Sequence, residues 1–304
     1  MSSPPRLFDR SLLTARRNRA AKETQNGGFA QAQFLRDRSI EDTLLTLAAI
    51  NRRFDLALDM SAADGGFGRA LAVSDAAAKV GLLIEGELSE RLSARQSGVA
   101  RLIMDEEWLP FADDRLNLII SVLGLHNVND LPGVLVQVRR ALTPDGLFIG
   151  TLFGGETLKE LRGCLMEAEL DVRGGYGPRI APFAEGPDLI DLLKRTGFSM
   201  PVVDSDRVEV SYEHPLRLLA DLRAMGEGNV MADRPRKGLN RAILQRMAEL
   251  YFKRFADAEG RVTATFEIIT LSGWKPHESQ QKPLKPGSAR TRLADALGVK
   301  ETKL

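Results

Sequence analysis

The sequence is poor in cysteine: Cys164 stands alone in 304 residues. That excludes an internal disulfide and a cysteine-rich zinc site, and it suits a reducing compartment. No apolar run approaches the ~20 residues a helix needs to cross a bilayer. The first residues, Met1 to Asp9, contain no apolar stretch of the secretory kind. Charge of one sign is also lacking. The 42 Lys and Arg against 41 Asp and Glu leave a net charge of +1, so the clustered basic excess that would make nucleic acid the main partner is missing. His126, His214 and His277 are scattered, with no His-x-Asp pair, so no facial iron triad is legible. Internal repeats are absent. What remains is ordinary for a globular chain, 43% hydrophobic and 27% charged, with length enough for one large α/β domain or two small ones.

From Phe54 to Leu152, short apolar runs alternate with helical stretches. Phe54 to Met60 reads as a strand entering a Gly-rich turn. Val80 to Ile84, Arg101 to Met104, Leu116 to Ser121 and Gly146 to Leu152 are the next four runs. Leu131, Val134, Leu135, Val138 and Leu142 share one helical face between the last two. Continuous apolar runs are the mark of buried parallel strands, so the series predicts a doubly wound parallel sheet. Helices are expected over Glu156–Leu170, Asp188–Thr196, Leu216–Met225 and Leu239–Phe255, and strands over Val202–Tyr212 and Val262–Trp274. Gly226 to Gly238 reads as a polar loop between two helices. Residues 1–53 form an N-terminal helical segment, whose basic stretch Arg6 to Arg19 reads as a solvated first helix; an organelle presequence is the alternative. The main domain is expected over 54–274, with insertions at about 171–187 and 213–261, and a mobile tail over 275–304. Two late strands joined by a helical insertion predict an antiparallel edge hairpin, with the insertion lying over the carboxyl ends of the parallel strands.

Four loops after four successive strands carry the chemistry. Asp59-Met60-Ser61-Ala62-Ala63-Asp64-Gly65-Gly66 is a Gly-rich turn whose backbone amides can approach a nucleotide-like ligand, or simply a tight β–α connection. At the end of the second strand, Glu87, with Glu85 as the alternative, can take both hydroxyls of a ribose in charge-assisted bonds, or cap the next helix. Asp105 and Glu106 follow the third strand, where an acid can accept an adenine amino group. Trp108-Leu109-Pro110-Phe111 then reads as a loop with a packed apolar anchor. Ser121 to Val128 ends the fourth strand and faces the reaction centre. His126 there is a candidate catalytic group or a structural histidine.

These residues resemble a methyltransferase type 11 protein, which implies the α/β class I SAM-methyltransferase (Rossmann-like) fold with a seven-stranded sheet. The likeness extends to the respiratory complex I assembly factors described as arginine hydroxylases of a quinone-site subunit. It is carried by Phe8-Asp9-Arg10, Arg19-Ala20-Ala21, Asp105-Glu106-Glu107, Leu125-His126, Val128-Asn129-Asp130-Leu131-Pro132, Phe153-Gly154-Gly155-Glu156-Thr157-Leu158, Met225-Gly226-Glu227, Gly273-Trp274-Lys275 and His277-Glu278-Ser279-Gln280. The resemblance implies S-adenosylmethionine (SAM) as cofactor, held by Asp59, Ser61, Ala63, Gly65, Glu87, Asp105, Glu106 and Ser121. It also implies a protein substrate within complex I, with neither nucleic acid nor a membrane-spanning segment involved. The family works in the mitochondrial matrix, but Phe8-Asp9-Arg10 lies so near Met1 that a bacterial cytoplasmic relative is expected.

Two departures stand out. Ser61 and Ala63 replace glycines of the family's first loop, and Asn127 stands where relatives carry Trp. If the two added loop side chains cost about 3 kcal/mol, affinity for SAM would fall about a hundredfold. The expected function is therefore a SAM-dependent methyltransferase-fold protein acting on a protein substrate in complex I assembly. The alternatives are protein-arginine hydroxylation, or a non-catalytic assembly chaperone with an eroded SAM site. Tyr176, Arg179, Asn229 and the 226–238 loop are expected near the cleft mouth. Arg16, Arg17 and Arg19 would either meet an acidic ligand end or be solvated.

Overall fold

The computed structural model describes residues 6–23, 32–96, 98 and 100–280; from residue 281 onward the expected tail lies outside them. The apolar runs become strands β1 (Phe54–Asp59), β2 (Val80–Glu87), β3 (Ala100–Ile103), β4 (Leu116–Ser121), β5 (Leu142–Phe153), β6 (Ser199–Tyr212) and β7 (Val262–Trp274). They form one sheet in the order β3-β2-β1-β4-β5-β7-β6. The first five pair in parallel, and β7 runs antiparallel to both β5 and β6. This is the doubly wound sheet with an antiparallel edge hairpin that the sequence predicts. Its order reverses between β1 and β4, which puts a ligand crevice at their carboxyl ends.

Among the described residues the α-helices are α1 (Arg10–Glu23), α2 (Phe34–Ala49), α3 (Gly66–Ala72), α4 (Glu90–Ser93), α5 (Leu131–Ala141), α6 (Lys159–Arg173), α7 (Gly186–Arg195), α8 (Pro215–Met225) and α9 (Arg241–Phe255). One face of the sheet packs Ala57, Leu118, Ile120, Ile149 and Phe266 against α2, α3, α6, α8 and α9. The other packs Leu58, Ile119, Phe148 and Leu271 against α5 and α7. Neighbouring strand residues therefore serve opposite layers, as the pleat requires. Local chemistry fixes the ends. Asp130 accepts the Gly133 amide with Pro132 in the first turn of α5, and Asn240 caps α9 through Ile243. Gly226 closes α8 at φ 83°, a left-handed conformation that glycine adopts without strain.

Two expectations need correction, and a third is made specific. β5 begins at Leu142, because Leu142 already pairs with Leu116 before a register shift restores pairing at Leu118 and Leu147; Asp145, at φ 64°, absorbs the irregularity. In the Trp108–Phe111 loop the packed apolar anchor is Leu109 with Phe111, while Trp108 is 75% exposed. The 226–238 segment is more than a polar loop, since it buries Val230 and Met231 beside Phe8 and Leu13.

Candidate functional site

The turn after β1 favours glycine at one of the two replaced positions. Ala63 sits at φ 49°, where a Cβ costs about 1–2 kcal/mol. Its amide donates to Glu87 Oε2 at 3.0 Å, and its carbonyl accepts from Gln96 at 3.0 Å. The Ser61 hydroxyl lies 2.9 Å from Ser121 Oγ, joining the ends of β1 and β4. Room for it exists because residue 124 is glycine: a Cβ there would collide with Ser61 Oγ. Asp59 accepts the Ser61 amide through Oδ1 at 3.3 Å, while its Oδ2 has no partner among the described residues. Burial pushes its pKa up to about 7, against the opposing charge of Arg36.

The acids divide between two places. Glu87, Glu106 and Ala63 come together around the guanidinium of Arg17, which donates to Glu106 at 2.7 Å and to Glu87 at 3.2 Å. Arg10 binds Glu106 as well, and reaches Asp105 Oδ1 at 2.5 Å and Oδ2 at 3.3 Å. Burial opposes ionisation of Glu106, but the Arg17 and Arg10 charges outweigh it and hold its pKa below the carboxylate range. Burial likewise opposes the charge on Arg17, and Glu106 and Glu87 overcome it, raising its pKa. Asp105 instead lines an outer groove of about 810 Å³ with Arg10, Asn129 and the exposed Trp108. Glu85 turns away: it accepts the Gly98 amide at 3.1 Å and stands against Gly65 and Gly68, which puts Gly65 on that side too.

His126 occupies a 3-10 turn after β4, buried between Phe153 and Phe183. Its Nε2 lies 2.9 Å from Glu227 Oε2, and Asn127 Nδ2 donates to the same oxygen at 3.3 Å. Among the described residues the His126 Nδ1 has no partner. Burial opposes the Glu227 charge, but His126, Arg17 and Arg36 hold its pKa below the ordinary value.

Glu227 stands between two cavities. A narrow one of about 30 Å³ lies among Arg17, Arg36, Ala63, Leu123 and Phe153. A larger one of about 530 Å³ has apolar walls including Leu161, Leu165, Phe183 and Leu222, with His126 and Arg16 among its polar lining. Among the described residues, Glu227 is the one lining residue the two share. Arg179, held by Glu169 at 2.5 Å, and Asn229 line the larger cavity, whereas Tyr176 is exposed and does not. Sequence reasoning missed Arg10 and Arg36 as parts of the site, left Arg17 open between an acidic ligand end and solvent, and named the 226–238 loop without singling out Glu227. The signal was present in Asp9-Arg10 and Gly226-Glu227, both inside family-like passages.

Residues 58–150 match the methyltransferase domain family. A putative methyltransferase of Bacillus halodurans superposes with a TM-score of 0.54 at 16% identity, over 78% of this chain and 98% of that one, which shows the shared fold. Arginine-hydroxylase NDUFAF5 of Danio rerio is 37% identical over 95% of this chain and 89% of its own length. The chain belongs to the arginine-hydroxylase NDUFAF5 family. The human member is 36% identical over 97% of this chain and 85% of its own length. Both NDUFAF5 proteins are described as mitochondrial, and no helix among the described residues is long and apolar enough to cross a membrane.

The NDUFAF5 likeness therefore spans both the doubly wound half and the β6–β7 insertion that supplies Glu227. The fold implies SAM, and the residues meet that implication unevenly. Glu87 and the Ala63 turn are of the right type to meet a ribose. The cavity beside Ala63 has room for about one water, whereas ligand sites occupy roughly 300–1,000 Å³. In this conformation the cleft does not fit an adenosyl group.

Proposed function

We propose that this chain acts on an arginine side chain of a protein substrate during assembly of respiratory complex I, as an enzyme built on the SAM-methyltransferase fold. The observation that carries this reading is Glu227, the single acid lining either of the two cavities among the described residues. An arginine has an apolar stem and a planar cation that pairs with carboxylates. The larger cavity offers apolar walls from Leu161, Leu165, Phe183 and Leu222 and a carboxylate oriented by His126 and Asn127. The relatives' description as arginine hydroxylases supports the same substrate class. Glu227 and His126 are assigned to binding and orienting the target group, with the aromatic rings of Phe153 and Phe183 keeping water from it. In a bacterium the setting would be the cytoplasm. SAM is the cofactor the fold implies; no step is assigned to it while the cleft is closed.

The test is mass spectrometry of the quinone-site subunit from a strain lacking this chain, complemented with wild type or Glu227→Gln. The expected result is one arginine that carries added mass with wild type and none with the variant. The mass of one oxygen or one methylene distinguishes hydroxylation from methylation. An arginine of unmodified mass in the wild-type strain would remove the proposal. A scaffold role is favoured by one observation, the occupation of Glu87 and Glu106 by Arg17. Full complex I assembly with Glu227→Gln would select it.

A further inference from the structure

The groups suited to an adenosyl ligand are engaged by the chain's own arginines. Arg17 takes Glu87 and Glu106, Arg10 takes Asp105 and Glu106, and Arg36 donates to the Ser61 carbonyl at 2.9 Å. Two of the three stand on α1. The same N-terminal stretch is tied to the substrate side. Phe8 bridges Met231, the Asp9 amide donates to Val230 at 2.8 Å, and the Ala232 amide donates to Leu7 at 2.9 Å. Arg234 pairs with Asp9 at 3.2 Å. Arg16 lines the larger cavity, and its guanidinium lies where a Cβ of Gly228 would be. Withdrawing α1 from the cleft therefore disturbs the segment that carries Glu227.

We infer that α1 is a latch: a nucleoside cofactor enters only when Arg17 leaves Glu87 and Glu106, and that departure moves the Glu227 segment, so that cofactor and substrate binding are interdependent. This rests on reading the cleft as an adenosyl site. Ligand affinity is reduced by the fraction of molecules that are open, so weakening the latch must tighten binding even though it adds no contact. A merely structural α1 makes the opposite prediction, because loss of Arg17 leaves two buried carboxylates uncompensated.

The experiment is calorimetry with S-adenosylhomocysteine on the full chain, together with hydrogen exchange. Arg17→Gln should bind about tenfold tighter than wild type, the change expected if the closed state predominates by that ratio. Should that variant fail to fold, Arg17→Lys keeps a positive charge near the acids but gives up the guanidinium fork that holds both of them, and should also bind more tightly. Saturating ligand should speed amide exchange in residues 10–23 and in residues 230–232. Unchanged or weaker affinity in the folded variants, exchange on α1 that ignores the ligand, or no binding by any variant would each overturn the latch. No substrate is present, so failure here is separate from failure of the arginine assignment.

Discussion

Nε2 of His126 and Oε2 of Glu227 lie 2.9 Å apart although 101 residues separate them. The contact ties the end of β4 to the insertion between β6 and β7, placing an oriented acid where the two cavities meet. The pair is therefore a positioning device as much as an electrostatic one.

Replacing one partner should uncouple it. With Glu227→Gln the bond to His126 can persist and the charge is lost; with His126→Ala the charge persists but its orientation is lost. Both should abolish or strongly reduce the added mass on the target arginine. Because Glu227 is only 21% exposed on its side chain, its removal should cost about 1–3 kcal/mol in a denaturant melt. A target still fully modified with Glu227→Gln would rule out the assignment.

Ser61 and Gly124 should behave as a coupled pair. Gly124→Ala drives a Cβ into Ser61 Oγ, and overpacking of this kind costs about 1–3 kcal/mol. Ser61→Gly in the same chain removes the obstacle and should restore most of the loss. Urea denaturation of the two single variants and the double variant measures the coupling; additive effects would refute it.

Ala63→Gly should stabilise the fold. At φ 49° the alanine is strained, and relief is worth about 1 kcal/mol, visible as a higher urea midpoint with unchanged slope. A lower midpoint would show that the Cβ contacts with Ala20, Ala21 and Leu92 outweigh the strain.

Asp59 makes stability depend on pH in an unusual direction. Its folded pKa is raised from 3.8 to about 7, so the native state keeps a proton that the unfolded chain gives up. That contribution is whole below the unfolded value and is lost as pH rises through about 7. Asp59→Asn keeps the shape without the titration. Relative to it, wild type should lose on the order of a few kcal/mol between pH 4 and pH 8. Glu106 and Glu227, whose pKa values are lowered, act oppositely but are present in both proteins. A flat difference between the two melting profiles would dismiss a buried, protonated Asp59.

Local pattern revealed a great deal. The apolar runs from Phe54 to Leu152 and the late pair at Val202 and Val262 became strands at nearly the expected bounds, because burial on a sheet leaves its mark in neighbouring residues. The positions of Glu87 at the end of β2 and of Ser61 and Ala63 in the turn after β1 were legible for the same reason, since each belongs to one short segment. Tertiary structure decided what those loops meet. Arg17 finds Glu106 and Glu87 from 89 and 70 residues away, and such a pairing leaves no periodic trace in either segment. An arginine in a basic helix reads the same whether it faces water or two buried carboxylates. Only the docking of α1 distinguishes these outcomes, and with them a closed cleft from an open one.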